Sequence, residues 1–172
     1  DLSSIHFTSS QTGWAAGTGG MIINTTDGGI SWNTQISGTT NNLFSIHFAD
    51  SQTGWAVGNA GTVLKTSDGG TNWIPQESSS TSSFRSVYFV DNQTGWIVGS
   101  GGTIIKTTNG GTNWFPQTSG GLYGLRSVHF INSQTGWTAG SAGVVLKTTN
   151  GGTDWISQSI VSSTYLRCIY FT

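Results

Sequence analysis

An internal repeat of 41 residues runs through the whole chain and limits the folds open to it. The eight tryptophans form two series, and neighbours within each series are 41 residues apart. The members are Trp14, Trp55, Trp96 and Trp137 in the first series and Trp32, Trp73, Trp114 and Trp155 in the second. No insertion interrupts this register, so the chain consists of consecutive copies of one structural unit.

Each copy is expected to hold four short strands. An alternating run such as 2–7 is followed by a Gln-Thr-Gly turn, a Trp-Ala-Val-Gly strand, a third strand such as 103–106 and an Asp-Gly-Gly or Asn-Gly-Gly hairpin. Short, evenly spaced strands with such hairpin turns and no helical periodicity indicate an all-β architecture. A four-stranded antiparallel unit of this length is typical of one blade of a β-propeller.

Two glycine and proline patterns suggest how the strands are arranged. We expect Gly13 and its equivalents at 54, 95 and 136 to supply a positive φ in the first turn. Pro75 and Pro116 both follow a tryptophan of the second series, and proline is tolerated in sheets mainly at edges. The fourth strand is therefore predicted to be the outer edge of each blade, and the first strand to line the central channel.

The period predicts blades at 1–41, 42–82, 83–123 and 124–164, followed by the first strand of a further blade at 165–172. Four blades and a fifth inner strand cannot close into a ring, since two strands would compete for one position. We expect an arc of a ring of roughly six to eight blades. Further blades or a second copy would complete it, and an open stack of repeats is the alternative.

The composition limits the cellular environments and the classes of partner to be expected. The net charge is −1 and only 8% of the residues are charged, so nothing favours nucleic acid or an anionic membrane as a partner. No apolar stretch approaches the roughly 18 residues of a membrane span. Abundant glycine, serine, threonine and asparagine lead us to expect an extracellular, cell-surface or periplasmic protein. The one cysteine, Cys168, stands where other copies have serine and is expected to be a small buried residue.

The four hairpins carry a recurring motif: Thr25 to Trp32, Thr66 to Trp73, Thr107 to Trp114 and Thr148 to Trp155. It resembles the Asp-box, Ser/Thr-x-Asp-x-Gly-x-x-Trp, of sialidase-type (BNR) propellers. Together with the preceding Gln-Thr-Gly-Trp-Ala-Val-Gly, it looks most like the Ycf48-like (photosystem II assembly factor) repeat, and this resemblance covers the whole chain. The resemblance implies a propeller that binds a protein partner.

The box residues are interpreted as structural. The side-chain oxygen at the Asp position can accept hydrogen bonds from turn N–H groups, while the tryptophan packs beneath the hairpin. Asparagine at two of the four positions keeps the acceptor and loses the charge, which suits a turn brace better than a catalytic carboxylate. The box residues are Asp27, Asp68, Asn109, Asn150, Trp32, Trp73, Trp114 and Trp155.

Three arginines form the candidate binding site. Arg85, Arg126 and Arg167 share one position of the innermost strand, where the first two copies have Ser3 and Phe44. Guanidinium groups bind carboxylate, phosphate or sulfate well, so an anion or an acidic protein is a candidate ligand. The family resemblance implies that such a patch faces the partner protein. The alternative is that each arginine bridges adjacent blades through backbone carbonyls.

The other periodic polar residues receive structural roles. Histidine alternates with tyrosine at one inner-strand position, which argues against a metal site and favours a hydrogen bond between blades. We expect the lysines before the boxes to form a solvated row, and the glutamines of the first turn to cap its backbone. Phenylalanines at the seventh position are expected in the core. The residues are His6, His47, Tyr88, His129, Tyr170, Lys65, Lys106, Lys147, Gln11, Gln52, Gln93, Gln134, Phe7, Phe48, Phe89 and Phe130.

No catalytic residue, cofactor or metal site can be identified. The seven acidic residues make no recognisable paired-carboxylate site, and no phosphate loop, zinc spacing or nucleophile elbow occurs. The sequence therefore predicts a non-catalytic scaffold for protein–protein interaction, of assembly-factor or adhesion type. A glycan-binding propeller and a fragment of a sialidase-like glycoside hydrolase are the alternatives. Links such as 77–83 and 119–123 join blades and could carry partner specificity.

Overall fold

The computed structural model describes residues 1–158 and 164–171, and its strands follow the 41-residue period. The first sheet holds β1 (Leu2–Phe7), β2 (Gly13–Gly17), β3 (Ile22–Thr25) and β4 (Asn33–Gln35). The second holds β5 (Leu43–Phe48), β6 (Gly54–Gly58), β7 (Val63–Thr66) and β8 (Ile74–Pro75). The third holds β9 (Phe84–Phe89), β10 (Gly95–Gly99), β11 (Ile104–Thr107) and β12 (Phe115–Gln117). The fourth holds β13 (Leu125–Phe130), β14 (Gly136–Gly140), β15 (Val145–Thr148) and β16 (Ile156–Ser157).

Each sheet is an antiparallel meander in which the strands pair in chain order. The first strand of each sheet packs beside the first strand of the next, so β1, β5, β9 and β13 form the inner wall. The fourth strands are the outer edges, and Pro75 and Pro116 lie in them as predicted. This arrangement of four-stranded blades around a shared axis is an arc of a β-propeller.

A short 3-10 turn connects the second and third strands of every sheet, at Thr18–Gly20, Asn59–Gly61, Ser100–Gly102 and Ser141–Gly143. These turns lie at one end of the sheets, which we call the turn end. The box hairpins lie at the other end, which we call the box end. None of the helical turns in the described part of the chain has the length or apolar character needed to cross a bilayer.

The hydrophobic core lies between sheets rather than within one. Trp14, Ala16 and Ile22 of the first sheet form one cluster with residues of the second, including Leu43, Ile46 and Phe48. The same arrangement recurs between the second and third sheets and between the third and fourth. Burying such faces is the main contribution to stability in a repeat fold, at about 25 cal/mol per Å² of apolar surface.

Aromatic rings build each junction. Phe48 stacks on Trp14 of the preceding sheet with ring centroids 3.7 Å apart, and it meets Trp73 of its own sheet edge-on at 5.9 Å. Phe89 repeats the arrangement with Trp55 at 3.4 Å and with Trp114 at 5.9 Å. The predicted core role of these phenylalanines holds, except that Phe7, in the first sheet described, is 40% exposed.

The glycine before each first-series tryptophan has a different role from the predicted one. Gly13, Gly54, Gly95 and Gly136 are absent from the positive-φ residues. A Cβ on Gly54 would lie 2.6 Å from the ring of Phe48, and the other three positions show the same overlap with their phenylalanines. Glycine is required there because the phenylalanine ring lies directly on the backbone.

Two kinds of hydrogen bond recur between all adjacent sheets. The Ser4 hydroxyl accepts a hydrogen bond from the Ile46 backbone N–H at 3.2 Å, and Ser45, Ser86 and Ser127 do the same for residues 87, 128 and 169. At the box end, the Trp14 indole N–H donates to the Gly69 carbonyl at 2.9 Å. Trp55 and Trp96 donate in the same way to Gly110 and Gly151. We call these the serine clasp and the indole clasp.

The segment predicted as the strand 165–172 differs from the prediction. No strand is assigned in its described part, 164–171. It still takes the position of an inner strand: Ile169 N–H donates to Ser127 at 3.1 Å, and Phe171 stacks on Trp137 at 4.0 Å. Cys168 is exposed rather than buried.

Candidate functional site

The three arginines lie together at the turn end of the inner wall. Their position coincides with an irregularity of the inner strand, because the pairing of the first and second strands shifts between Leu2 and Ser4 and at the equivalent places in the other sheets. Such a bulge takes one residue out of the ladder and redirects its side chain. The bulged position is that of Ser3, Phe44, Arg85 and Arg126.

A recurring glycine permits this bulge. Gly58 ends β6, and a Cβ there would come within 2.0 Å of the Asn42 carbonyl oxygen; Gly17, Gly99 and Gly140 show the same overlap at their own sheets. The bulge was missed from the sequence. The signal that could have found it is the glycine closing every second strand, at the same spacing as the tryptophans.

The redirected side chains line an open pocket of about 550 Å³. Its lining residues are Ser3, Phe44, Arg85, Arg126, Tyr165 and Arg167. The structure therefore brings together all three arginines singled out from the sequence. Tyr165, at the start of the fifth inner segment, was not singled out.

The pocket is positively charged, and the residues of the described chain that line it include no carboxylate. Partial burial lowers the pKa of Arg85, and repulsion from the charge of Arg126 adds to the shift. Both effects mean that the Arg85 guanidinium group gains from an added anion, which would replace lost hydration and offset the repulsion from Arg126.

Aromatic rings support two of the guanidinium groups. The Cζ atom of Arg85 lies 4.1 Å from the centre of the Phe44 ring, and that of Arg126 lies 5.6 Å from the Tyr165 ring. The ring contacts the flat face of a guanidinium group, whereas the N–H donors lie at its edge. The donors of Arg85 thus remain available to a planar carboxylate or to a phosphate.

A column of aromatic rings, tilted against one another, runs along the inner wall, with one ring from each sheet and a fifth from the segment 164–171. Successive centroids from His6 through His47, Tyr88 and His129 to Tyr170 are 4.7, 4.8, 4.7 and 4.8 Å apart. The Nε2 atom of His47 lies 3.0 Å from the Phe89 carbonyl oxygen in the next sheet, which is the expected hydrogen bond between blades. Burial lowers the pKa of His47 to about 3, and the nearby His6 adds to the shift.

The box hairpins are braced by their polar residues. The Asp27 carboxylate accepts hydrogen bonds from the Ser31 N–H at 2.9 Å and the Ser31 hydroxyl at 2.5 Å. The Thr25 hydroxyl donates to Asp27 at 2.7 Å and accepts from the Gly29 N–H at 2.9 Å. These bonds, with that of the Ser31 hydroxyl largest, lower the pKa of Asp27 to about 2.

Asparagine preserves the brace where it replaces aspartate. Asn109 accepts from the Asn113 N–H at 3.0 Å. Asn150 accepts from the Asp154 N–H at 2.9 Å and donates its own amide to the Asp154 carboxylate at 2.8 Å. In the second box the same pair is reversed, because the Asn72 amide donates to the Asp68 carboxylate at 2.7 Å.

Two expectations about polar side chains are corrected. The lysines do not form a solvated row: the Lys65 Nζ atom lies 5.5 Å from the centre of the Trp55 ring, and burial lowers its pKa. The first turns are capped by the residue two positions before each glutamine. The Asp50 carboxylate accepts hydrogen bonds from the Gln52 and Thr53 backbone N–H groups at 2.7 Å. The Gln52 side chain instead donates to the Ser51 carbonyl.

Comparisons with solved structures agree with this architecture. A structure of YCF48 bound to a D1 peptide superimposes with a TM-score of 0.76 at 22% identity, over 96% of this chain and 55% of that one. YCF48 from Cyanidioschyzon merolae gives 0.77 at 23% identity, over 99% and 59%. The GH74 enzyme of Niastella koreensis gives 0.73 at 18% identity, over 88% and 28%. The chain thus spans slightly more than half the length of these YCF48 chains.

At such low identities the structural matches carry the fold alone. A search of curated proteins gave no match. The family model is more specific, because it describes the repeat itself: the model for the photosynthesis system II assembly factor YCF48 matches residues 1–73, 32–116 and 77–164. These three overlapping segments include all four box motifs. The chain therefore belongs to the YCF48 assembly-factor family.

Proposed function

We propose that this propeller is a non-catalytic scaffold that binds an anionic segment of a partner protein in the arginine pocket. The observation that carries the proposal is the pocket itself, in which three guanidinium groups converge and none of the described lining residues carries a carboxylate. The repeats are nearly identical, but one inner-strand position differs in charge from copy to copy. This is the position of Ser3, Phe44 and the three arginines. A binding surface needs such a local departure from symmetry.

The relatives support a protein as the partner. The family description is that of an assembly factor, and one structural relative is a YCF48 with a bound D1 peptide. A carboxylate-bearing peptide suits the pocket, since guanidinium groups bind carboxylates through paired hydrogen bonds. Whole-protein partners are part of this proposal, because the chain spans only part of those relatives.

Five of the seven acidic residues have structural roles, which supports a non-catalytic function. Asp50 and Asp91 cap first turns, while Asp27, Asp68 and Asp154 belong to the braced box hairpins. Glycoside hydrolysis requires two carboxyl groups facing one bond. We expect the protein to leave a fluorogenic sialoside unhydrolysed, and turnover that survives purification would contradict a purely binding role.

We also propose that further sheets of the same pattern complete the ring, from the same protein or from a second copy. The first sheet exposes 53% of Leu2 and 59% of Ile5, whereas the equivalent Leu43 and Ile46 are 0% and 3% exposed. The chain alone should therefore self-associate as its concentration rises, and Ile5→Ser should weaken that association. A strictly monomeric chain by light scattering would contradict this part of the proposal.

Selection from a random displayed peptide library tests the binding proposal. The immobilised protein should enrich peptides with clustered aspartate or glutamate. Binding of the enriched peptides should weaken as salt rises, because salt screens exposed charges. Arg126→Gln should weaken binding at least about tenfold, since a charge-assisted hydrogen bond contributes about 1.5–3 kcal/mol.

Lys147→Gln is the matched control, because it removes one positive charge outside the pocket lining. Its affinity for the enriched peptides should stay close to that of the unaltered protein. Equal losses in the two variants would reduce the effect to net charge and overturn the assignment of the pocket. Enrichment of peptides without acidic residues would overturn it as well.

A further inference from the structure

The link between the third and fourth sheets departs from the repeat beside the arginine pocket. Two positions of each link lie three and four residues before the bulged residue. They hold Thr40 and Asn41 in the first link and Thr81 and Ser82 in the second. In the third link they are Leu122 and Tyr123, which are 89% and 52% exposed. We call Leu122 and Tyr123 the apolar link pair.

The polar residues at this position stabilise their own links. The Asn41 side chain donates to the Thr62 hydroxyl at 2.8 Å, and the Thr103 hydroxyl donates to Ser82 at 2.9 Å. In the third link, the residue equivalent to Thr62 and Thr103 is the buried Val144, which offers no side-chain hydrogen bond. The third link therefore lacks this side-chain hydrogen bond, and the apolar link pair exposes apolar surface to water.

The apolar link pair lies close to the arginines. Tyr123 precedes Arg126 by three residues, so their Cα atoms are at most about 11 Å apart even in a fully extended chain. Tyr165, whose ring centre lies 5.6 Å from the Arg126 Cζ atom, is 64% exposed and lines the pocket. Hydrogen bonds from the Gly143 N–H to the Thr164 carbonyl and from the Leu166 N–H to the Gly140 carbonyl hold the backbone on both sides of Tyr165.

Cations and apolar side chains thus share one corner of the turn end. Exposed single apolar residues are common, but two adjacent ones beside an unneutralised cationic pocket form a mixed surface. Aromatic and aliphatic side chains next to arginine are the usual composition of the strong contact points in protein interfaces. A ligand that offers only negative charge would leave the apolar link pair in water.

We propose that the partner segment carries a bulky apolar side chain next to its carboxylates, and that this side chain packs on the apolar link pair while the carboxylates enter the arginine pocket. This inference rests on the proposed function and specifies the chemistry of the partner. The charge complementarity of the pocket fixes the acidic part. The exposed Leu122 and Tyr123 side chains select the apolar part.

The test uses the enriched peptides and a variant copied from the second link, Leu122→Thr with Tyr123→Ser. Peptides selected by the unaltered protein should combine acidic residues with a neighbouring aromatic or aliphatic residue. The double variant should bind them about tenfold more weakly, as expected for the loss of a packed side chain. It should bind peptides in which serine replaces that apolar residue as well as the unaltered protein does.

Ile30→Ser is the matched control, because Ile30 is also 89% exposed but lies in a hairpin at the box end. Its affinity should be unchanged. The inference is overturned if the double variant binds the selected peptides with full affinity. It is also overturned if Ile30→Ser lowers the affinity for these peptides as much as the double variant does. Loss of binding in Arg126→Gln with full binding in the double variant would leave the arginine pocket as the site and refute only the apolar contact.

Discussion

The junction between the first and second sheets and the junction between the second and third share their aromatic packing but differ in their polar contacts. At the first junction, the Gln35 side chain donates to the Gly69 carbonyl at 3.1 Å and accepts from the Trp73 indole at 3.2 Å. At the second, the equivalent Gln76 turns back to the Ile74 and Pro75 carbonyls. The Trp114 indole N–H is then buried without a partner.

The surrounding sequence accounts for this difference. The first junction has Asn24 where the second has Lys65, and the Lys65 Nζ atom would lie only 2.9 Å from a Cβ at Gly110. The lysine therefore occupies the space beside the neighbouring hairpin, while Pro75 replaces the threonine that precedes Gln35. Both junctions nevertheless stack phenylalanine on tryptophan in the same way. Ring packing thus defines a junction, and the polar bridge is a variable addition.

The strongest test removes the shared element at both junctions. Phe48→Ala and Phe89→Ala should each lower the free energy of unfolding by about 3–5 kcal/mol, because each deletes a buried ring between two tryptophans. Urea unfolding followed by tryptophan fluorescence measures both. A loss at one junction more than twice that at the other would contradict the view that the packing is equivalent.

Acidification should act through the ring column, which pairs His6 with His47 at the first junction and His47 with Tyr88 at the second. The pKa of His47 is about 3 in the folded protein against about 6.5 when unfolded, so the unfolded chain binds the proton more readily. Stability is complete above pH 6.5 and falls as the pH decreases towards 3. At pH 5 this histidine alone should cost about 2 kcal/mol.

His47→Tyr gives the first junction the kind of ring pair that the second already has. Urea midpoints measured from pH 7 to pH 5 should then depend less on pH than those of the unaltered protein. An unchanged pH dependence would assign the effect to other groups.

A smaller difference is expected for the glutamines. Gln35→Ala should cost about 1–2 kcal/mol, because it leaves the Trp73 indole N–H buried and unpaired. Gln76→Ala should cost less than about 0.5 kcal/mol, since the Gln76 side chain contacts only carbonyls of its own exposed strand. Equal costs in denaturant unfolding would show that the two junctions do not differ in the way described.

The smallest effect should come from giving the second junction the residues of the first, with Lys65→Asn and Pro75→Thr. Gln76 should then reach the Trp114 indole, and stability should change by no more than about 1 kcal/mol, because the gained bond offsets the lost proline rigidity. The direct measurement is the NMR signal of the Trp114 indole N–H, whose exchange with solvent should slow. An unchanged signal would mean that neither residue controls the glutamine.

The regular part of the fold follows from the sequence because each of its causes is local. Tryptophan spacing, hairpin glycines and Pro75 and Pro116 at the edges suffice to order the strands. The role of Gly13 could not be predicted in the same way, because it depends on the Phe7 ring, which packs on Gly13 from the neighbouring strand. The serine clasp is hidden for the same reason, because a hydroxyl that bonds to the next sheet looks like any exposed serine.

The site was predicted in part. The common position of Arg85, Arg126 and Arg167 places them on one wall, and the pocket unites them. The bulge that redirects Arg85 and Arg126 depends on strand pairing, and the contributions of Tyr165 and Arg167 depend on where the fifth inner segment lies. The lysines were misplaced because charge alone suggests solvent, whereas their long carbon chains can cover a neighbouring indole ring.

The serine and indole clasps use the same atoms at every junction, so no unit is chemically committed to a particular neighbour. A gene that duplicates or deletes one whole 41-residue unit would leave the remaining clasps intact. The length of the arc and the placement of its few unusual residues can therefore evolve separately, and a new binding specificity requires altering one link rather than redesigning the wall.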